Sequence, residues 1–120
     1  MVLKVFFITG NRSKFEEARA VLSGSGIELV QKDIDLIEPQ TLDQRAVVES
    51  KAAQAFQALK QPVIVDDTAI FFRAYRNFPG IMTKHVYDSI GHAGIMRMLS
   101  GADRRAFFRT LVCYADGKES

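Results

Sequence analysis

The first 31 residues contain a pattern that restricts the chain to one class of fold. An almost unbroken apolar run, Val2–Ile8, is rich in β-branched and aromatic residues, which is typical of a strand buried on both faces. A polar turn follows, and Phe15, Ala18 and Leu22 then recur at helical spacing before a second strand at Ile27–Val30. Strand, loop, helix and strand in this order predict a βαβ unit, and therefore an α/β domain.

The polar turn after the first strand, Thr9–Ser13, is the first candidate for a ligand site. We expect Ser13 to cap a helix that begins at Lys14. Such a loop presents free backbone N–H groups, and Gly10 lets a ligand approach the backbone closely. Lys14 is a cation where a helix favours an acid, which indicates an anion in the loop. A phosphate-binding loop and a plain βα turn both remain open, since neither the P-loop nor the dinucleotide glycine pattern is present.

The rest of the chain alternates between extended and helical patterns. Residues 33–37 allow an edge strand that ends at Pro39, and a wide apolar face predicts a long, largely covered helix over Leu42–Leu59. Val63–Val65 is a buried strand that ends in a polar segment. Beyond it, we expect two short helices, 83–90 and 92–99, separated at Gly91. A strand over 105–114 follows, then the hairpin-type turn Asp116-Gly117, after which the returning strand is expected to be missing.

Two adjacent carboxylates, Asp66 and Asp67, follow the strand at 63–65 and are the second candidate. If the strands are parallel, these side chains lie at the same sheet edge as the Thr9–Lys14 loop. Carboxylates that face a phosphate site usually bind Mg²⁺. The alternative is a polar strand end in which Asp67 caps a turn.

Several other side chains have ordinary interpretations when each is taken alone. Glu38 is typical of a surface glutamate, Lys51 of a solvated or snorkelling helix lysine, and His85, next to Lys84, of a structural histidine. Cys113 cannot form an internal disulfide, and its apolar neighbours favour a buried structural thiol.

Length and composition limit the class of protein. The 120 residues fit one domain, and 48% apolar with 25% charged residues is typical of a soluble globular protein. A net charge of +2 is too small to indicate a nucleic-acid polymer as partner. No apolar stretch approaches the roughly 18 residues of a membrane span, and no signal-peptide pattern is present, so we expect a cytoplasmic protein without a membrane partner.

Taken together, these segments resemble the inosine triphosphate pyrophosphatase (Ham1-like) family. The matching segments occur in family order and cover essentially the whole chain. They are Thr9-Gly10-Asn11-Arg12-Ser13-Lys14, Asp35-Leu36-Ile37-Glu38-Pro39, Asp66-Asp67-Thr68, Phe78-Pro79-Gly80-Ile81, the stretch Tyr87–Leu99, and Arg104-Arg105-Ala106-Phe107-Phe108.

The resemblance implies an Mg²⁺-dependent hydrolase that cuts ITP, dITP or XTP to the monophosphate and pyrophosphate. Within it, Asp67 is the acid that activates the attacking water, and Glu38, Asp67 and Asp66 hold the metal. Asp66 stands where the family usually has glutamate, so it reaches the metal directly or through water. The residues implied to bind substrate are Thr9, Gly10, Asn11, Arg12, Ser13, Lys14, Lys51, Thr68 and Lys84.

The implied fold is a mixed, twisted α/β sheet flanked by helices, with two lobes around a nucleotide cleft (ITPase/Maf-like). Residues 1–69 form the phosphate and metal lobe of the single domain 1–120, and 70–120 form an incomplete second lobe. Family members continue beyond the final turn, with an aromatic-glycine-aspartate segment, a Ser-His-Arg motif that reads the base, and a further lysine. None of these is expected in this chain.

The resemblance also implies a homodimer, and the unpaired edge near Tyr114 is the expected contact. Two functional hypotheses stay open besides the active pyrophosphatase. One is a nucleotide-binding module with weak or no turnover, because the base-recognition half is lacking. The other is a structural role in which the last strand pairs with a second copy.

Overall fold

A computed structural model describes residues 2–118 as one mixed α/β sheet with three helices, in an elongated body of 55 × 29 × 20 Å. The predicted fold class is confirmed. The elements in chain order are β1 (Leu3–Ile8), α1 (Arg12–Val21), β2 (Ile27–Lys32), α2 (Gln44–Leu59), β3 (Val63–Phe72), a 3-10 turn (Arg73–Tyr75), β4 (Phe78–Gly80), α3 (Thr83–Met98) and β5 (Ala106–Ala115).

The sheet combines a parallel half with an antiparallel half. β1 lies between β2 and β3 and is parallel to both, which is the predicted βαβ arrangement. β4 and β5 both run antiparallel to β3. The element shared by the two halves is β3, so this strand connects every part of the sheet.

The strand that begins at Val63 does not end before Asp66, contrary to the expectation for Val63–Val65. It continues to Phe72. β1 pairs with it only at Val63 and Ile64, but β5 pairs with it along its whole length. The strand that pairs with it, β5, lies about 40 residues later in the sequence. The polar residues Asp66, Asp67 and Thr68 therefore wrongly indicated the end of the strand.

The two faces of the sheet carry separate apolar clusters. α2 covers one face, where Val48, Ala52 and Ala55 pack on Val63 and Val65. α1 covers the other face, where Phe15 packs on side chains of β1 and β2. The prediction that α2 is largely covered holds for one stripe, but Leu42 precedes the helix and is 89% exposed. The helix begins at Gln44, and the residue before it, Asp43, is its N-terminal cap.

The edge strand expected at 33–37 is wrong, because this segment forms no strand pairing. The backbone of Ile37 is bound by a side chain instead. Gln54 of α2 donates to the Ile37 carbonyl at 2.6 Å and accepts from its N–H at 2.7 Å. Ile34 and Leu36 pack against the core under α2, so the alternation reflects an extended loop with one apolar side.

The last third follows the prediction more closely. β5 covers nearly the expected residues, and its Cys113 is buried as predicted. α3 is a helix with an interruption at Gly91, whose backbone (φ 66°, ψ −176°) is not helical, so the predicted separation is confirmed. Within residues 2–118, no helix combines the length and the apolarity that crossing a membrane would require.

The start of α1 corrects one expectation. The helix begins at Arg12, and Asn11 caps it by accepting from the Lys14 N–H at 3.0 Å. Ser13 lies inside the first turn. Asparagine and serine are equally good caps. Which of the two residues caps α1 depends on the length of the loop after β1, and the local sequence does not determine that length.

Replacing Asn11 with alanine removes the side-chain oxygen that accepts from the Lys14 N–H. We expect Asn11→Ala to lower the free energy of unfolding by about 1 kcal/mol, measured by urea denaturation. Ser13→Ala is the matched control and should cause no loss, because alanine favours the helix interior. Equal losses in the two variants would contradict the cap assignment.

Candidate functional site

A cleft of about 1020 Å³ opens beside the middle of β3. β5 occupies one side of β3 throughout, so β1 and β4 share the other side. β1 pairs only as far as Ile64 and β4 only from Ile70, which leaves 65–69 without a strand on that side among residues 2–118. The cleft lies in this gap, and Asp66, Asp67 and Thr68 line it.

The loop between β1 and α1 forms one wall of the cleft. The Thr9 hydroxyl accepts from the Asn11 N–H at 3.0 Å, which fixes the turn. A Cβ on Gly10 would lie 3.1 Å from Asp33 Oδ2, so a side chain there would crowd this carboxylate. Thr9, Gly10, Asn11 and Lys14 all line the cleft, as the sequence predicts.

Two predicted residues of the same loop do not join the lining. Arg12 is exposed and pairs with Glu16 at 3.0 Å, and its guanidinium lies over the ring of Phe15. Ser13 is exposed in the first turn of α1. A contact of either side chain with substrate therefore stays a prediction that the geometry does not favour.

The adjacent carboxylates of β3 have different partners. Alternate residues of a strand point to opposite faces, so Asp66 and Asp67 face different helices. Asp66 Oδ2 forms an ion pair of 2.8 Å with Lys14 of α1. Asp67 turns toward α2, where Lys51 Nζ lies 4.0 Å from its Oδ1. Each carboxylate thereby gains a nearby cation, which reduces the cost of placing two charges side by side.

Lys51 connects the acidic groups of the cleft. Its ammonium lies 3.8 Å from Glu38 Oε1 and 4.0 Å from Asp67 Oδ1, and it donates to the Asp66 carbonyl at 3.3 Å. Its side chain is only 18% exposed. The solvated-lysine interpretation is therefore wrong, and the predicted site residues Glu38, Lys51 and Asp67 do come together.

Gln44, in the first turn of α2, is a site residue that the sequence analysis missed. Its side chain is 1% exposed, and it is the one polar residue among those fully buried in the described chain. Its Nε2 lies 3.1 Å from Asp67 Oδ2. A glutamine before an apolar helix gives no local signal for such a contact, since its other partner, Arg109, is 65 residues away.

The far wall of the cleft comes from the start of α3. Lys84 lines it, as predicted, and Thr68 is held by a 2.8 Å hydrogen bond between its hydroxyl and that of Thr110. His85 also lines the cleft, although the sequence favoured a structural role. Charged lining residues that were missed are Asp33, Asp35 and Asp88.

The lining carries more negative than positive charge. Three lysines face six carboxylates: Lys14, Lys51 and Lys84 against Asp33, Asp35, Glu38, Asp66, Asp67 and Asp88. No three carboxylate, imidazole or thiol groups in residues 2–118 converge into a ready metal-binding cluster. The acids are instead spread along the cleft and combined with lysines.

Cys113 lies outside this cleft, on the α2 side of β5. Burial raises the pKa of its thiol, which favours the protonated form. The prediction that this thiol is buried is confirmed.

Comparison with known proteins identifies the family. The sequence profile of the Ham1 family matches residues 5–120. The chain belongs to the Ham1 family. It is 37% identical over 115 residues to a dITP/XTP pyrophosphatase of Methanopyrus kandleri, covering 95% of this chain and 61% of the relative. It is 38% identical over 105 residues to an inosine triphosphate pyrophosphatase of Yarrowia lipolytica, covering 87% of this chain and 55% of the relative.

Solved structures agree at the level of the fold. A HAM1 protein from Coxiella burnetii superposes with a TM-score of 0.79 at 19% identity, over 96% of this chain and 64% of that protein. The chain thus spans about three fifths of the length of its Ham1 relatives.

Proposed function

We propose that this chain of the Ham1 family hydrolyses deaminated purine nucleoside triphosphates (ITP, dITP and XTP) to the monophosphate and pyrophosphate. The observation that carries the proposal is the meeting of the β1–α1 loop, Lys51 and Lys84 with Glu38, Asp66 and Asp67 in one cleft. A single nucleotide bound in this cleft would then contact the lysines through its phosphates. The carboxylates that can hold a water or a metal ion would lie beside it. The names of two Ham1 relatives support the choice of substrate.

The loop and the lysines are assigned to the triphosphate. Thr9, Gly10 and Asn11 offer hydroxyl, amide and backbone groups, and the start of α1 at Arg12 and Ser13 adds free backbone N–H groups. Lys14, Lys51 and Lys84 oppose the charge that builds on the pyrophosphate leaving group. Thr68 is assigned to a substrate contact beside the acid.

Asp67 is assigned to the attacking water. A carboxylate near the α-phosphate orients water and accepts its proton as the bond between the α- and β-phosphates breaks. One oxygen of Asp67 faces Lys51 and the cleft, which is the orientation that this role needs.

The donor set also fits a divalent cation, for which Mg²⁺ is the proposed ion. Glu38 and Asp67 already flank one cationic group, the Lys51 ammonium, and carboxylates exceed lysines along the cleft. Mg²⁺ usually binds one or two carboxylates together with substrate phosphates and water, so a ready cluster is not required. Glu38 and Asp67 are the proposed direct ligands, and Asp66, which points to the opposite face of β3, is the proposed ligand through water. The ion would neutralise phosphate charge and favour the pyrophosphate leaving group.

We assign different roles to the two parts of the chain. The part from residue 1 to 69 holds phosphate and metal, and the part from 70 to 120 closes over the nucleotide with α3. The proposed location is the cytoplasm, and neither a nucleic-acid polymer nor a membrane is a proposed partner.

The activity is tested by pyrophosphate release from dITP and from dATP in the presence of Mg²⁺. We expect release from dITP and a loss of 100-fold or more in Asp67→Asn, because an amide cannot accept the proton from water. Binding of dITP without release would instead favour the nucleotide-binding module. Calorimetry that finds no binding of either nucleotide would contradict both hypotheses.

The phosphate assignment is tested with two cations in the first turn of α1. Lys14→Ala should weaken binding of inorganic triphosphate several-fold, because Lys14 lines the cleft. Arg12→Ala is the matched control, since Arg12 pairs with Glu16 outside the cleft. Isothermal titration calorimetry measures the affinity of both variants for inorganic triphosphate. An equal loss of affinity in the two variants would contradict a specific role of Lys14.

The proposed assembly is a homodimer in which the β5 strands of two copies pair near Tyr114. Over the described residues, the only strand that pairs with β5 is β3, and Val112 on β5 is 66% exposed. Open edges of this kind favour pairing with another chain. Sedimentation velocity should detect a dimer that Val112→Lys weakens, and a monomer at all concentrations would contradict it.

A further inference from the structure

We propose that Gln44 is a positioning residue that holds the carboxylate of Asp67 in its working orientation. The inference rests on the proposed function, in which Asp67 acts on the attacking water. It assigns a role to a buried residue that does not itself line the cleft.

Gln44 is bound on every side in the interior. Its Nε2 lies 3.1 Å from Asp67 Oδ2, 3.0 Å from the Asp67 carbonyl and 3.0 Å from the Arg109 carbonyl. A buried amide is stable only when its donors and acceptor are used, and here they all are. The side chain therefore has a single allowed orientation.

Arg109 determines which end of the amide faces Asp67. Its Nε donates to Gln44 Oε1 at 2.6 Å, so the oxygen must point toward the guanidinium and the NH₂ group toward the carboxylate. The same guanidinium lies 5.1 Å from the centre of the Phe71 ring, and that ring stacks on Phe107. Arg109 is thus held by its own neighbours.

The consequence is a division between the two oxygens of Asp67. Oδ2 accepts from the Gln44 amide, and Oδ1 is left toward Lys51 and the cleft. Without the amide, the carboxylate could rotate about its terminal torsion, which is broad for aspartate. Fixing one oxygen leaves the other in the orientation that proton acceptance needs.

Gln44 also links α2 to β3 and β5, so a loss of stability alone would not prove the role. Gln44→Glu keeps one of these contacts and removes the others. Its carboxylate still accepts from Arg109, but the N–H contacts to Asp67 Oδ2 and to the Asp67 and Arg109 carbonyls are lost, and a second negative charge faces Asp67. Gln44→Met removes all four contacts at nearly the same volume without adding a charge.

The test measures kcat and KM for dITP with Mg²⁺ in both variants. Positioning predicts a fall in kcat of about 10- to 100-fold, the range found for partners that orient active-site ligands, with KM changed by less than 3-fold. Gln44→Glu should fall at least as far as Gln44→Met. If Gln44→Glu keeps the kcat of the unchanged protein, Gln44 is only a structural link and the proposal is overturned.

Val47→Ala is the matched control for stability. Val47 is 1% exposed on the same helix and forms no polar contact with the cleft. It should lower the stability of the fold while keeping kcat within 2-fold. If Val47→Ala lowers kcat as much as Gln44→Met does, looseness of α2 explains the loss, and positioning is wrong.

A second readout does not depend on turnover. In ¹H–¹⁵N spectra, the side-chain amide of Gln44 should exchange slowly with solvent and shift when Asp67 is changed to alanine. An amide that exchanges fast and does not shift would overturn the proposal even in an active protein. A protein that shows the shift but releases no pyrophosphate would contradict the proposed hydrolysis while leaving the contact established.

Discussion

The hydrogen-bonded ladder between β3 and β5 is the constraint on which the rest of the structure depends. It runs through ten residue pairs, from Val63↔Ala115 to Phe72↔Ala106. Because β5 supports β3 along its whole length, the other side of β3 can be left open between β1 and β4. The backbone groups of 65–69 that face the opening can pair with water or a ligand, since only groups buried away from water need a partner within the protein. The cleft is thus a consequence of pairing on the opposite edge.

The charged side chains follow from the same geometry. The two-residue period of a strand sends Asp66 and Asp67 to opposite faces, and α1 and α2 each supply one lysine to meet them. Asp66 is therefore paired with α1 and Asp67 with α2, while one strand, β3, fixes the distance between the two carboxylates.

The sequence predicts what depends on local pattern. The βαβ unit, the interruption at Gly91 and the buried Cys113 follow from periodicity and composition. The expectations that fail depend on distant partners. The false edge strand at 33–37 reflects an extended loop bound by Gln54, and the false end of β3 ignores β5. The family motifs indicated Glu38, Lys51 and Asp67. They did not indicate Gln44, because its orientation depends on Arg109, which is distant in the sequence.

The excess of carboxylates along the cleft has a kinetic consequence. Six acids and three lysines line the cleft, so the lining as a whole does not attract a free polyanion at long range, although each lysine attracts one at contact. We therefore expect the approach of such a ligand not to be accelerated by electrostatic steering, and added salt to slow it little. Binding of an anion then depends on short-range contact with individual lysines.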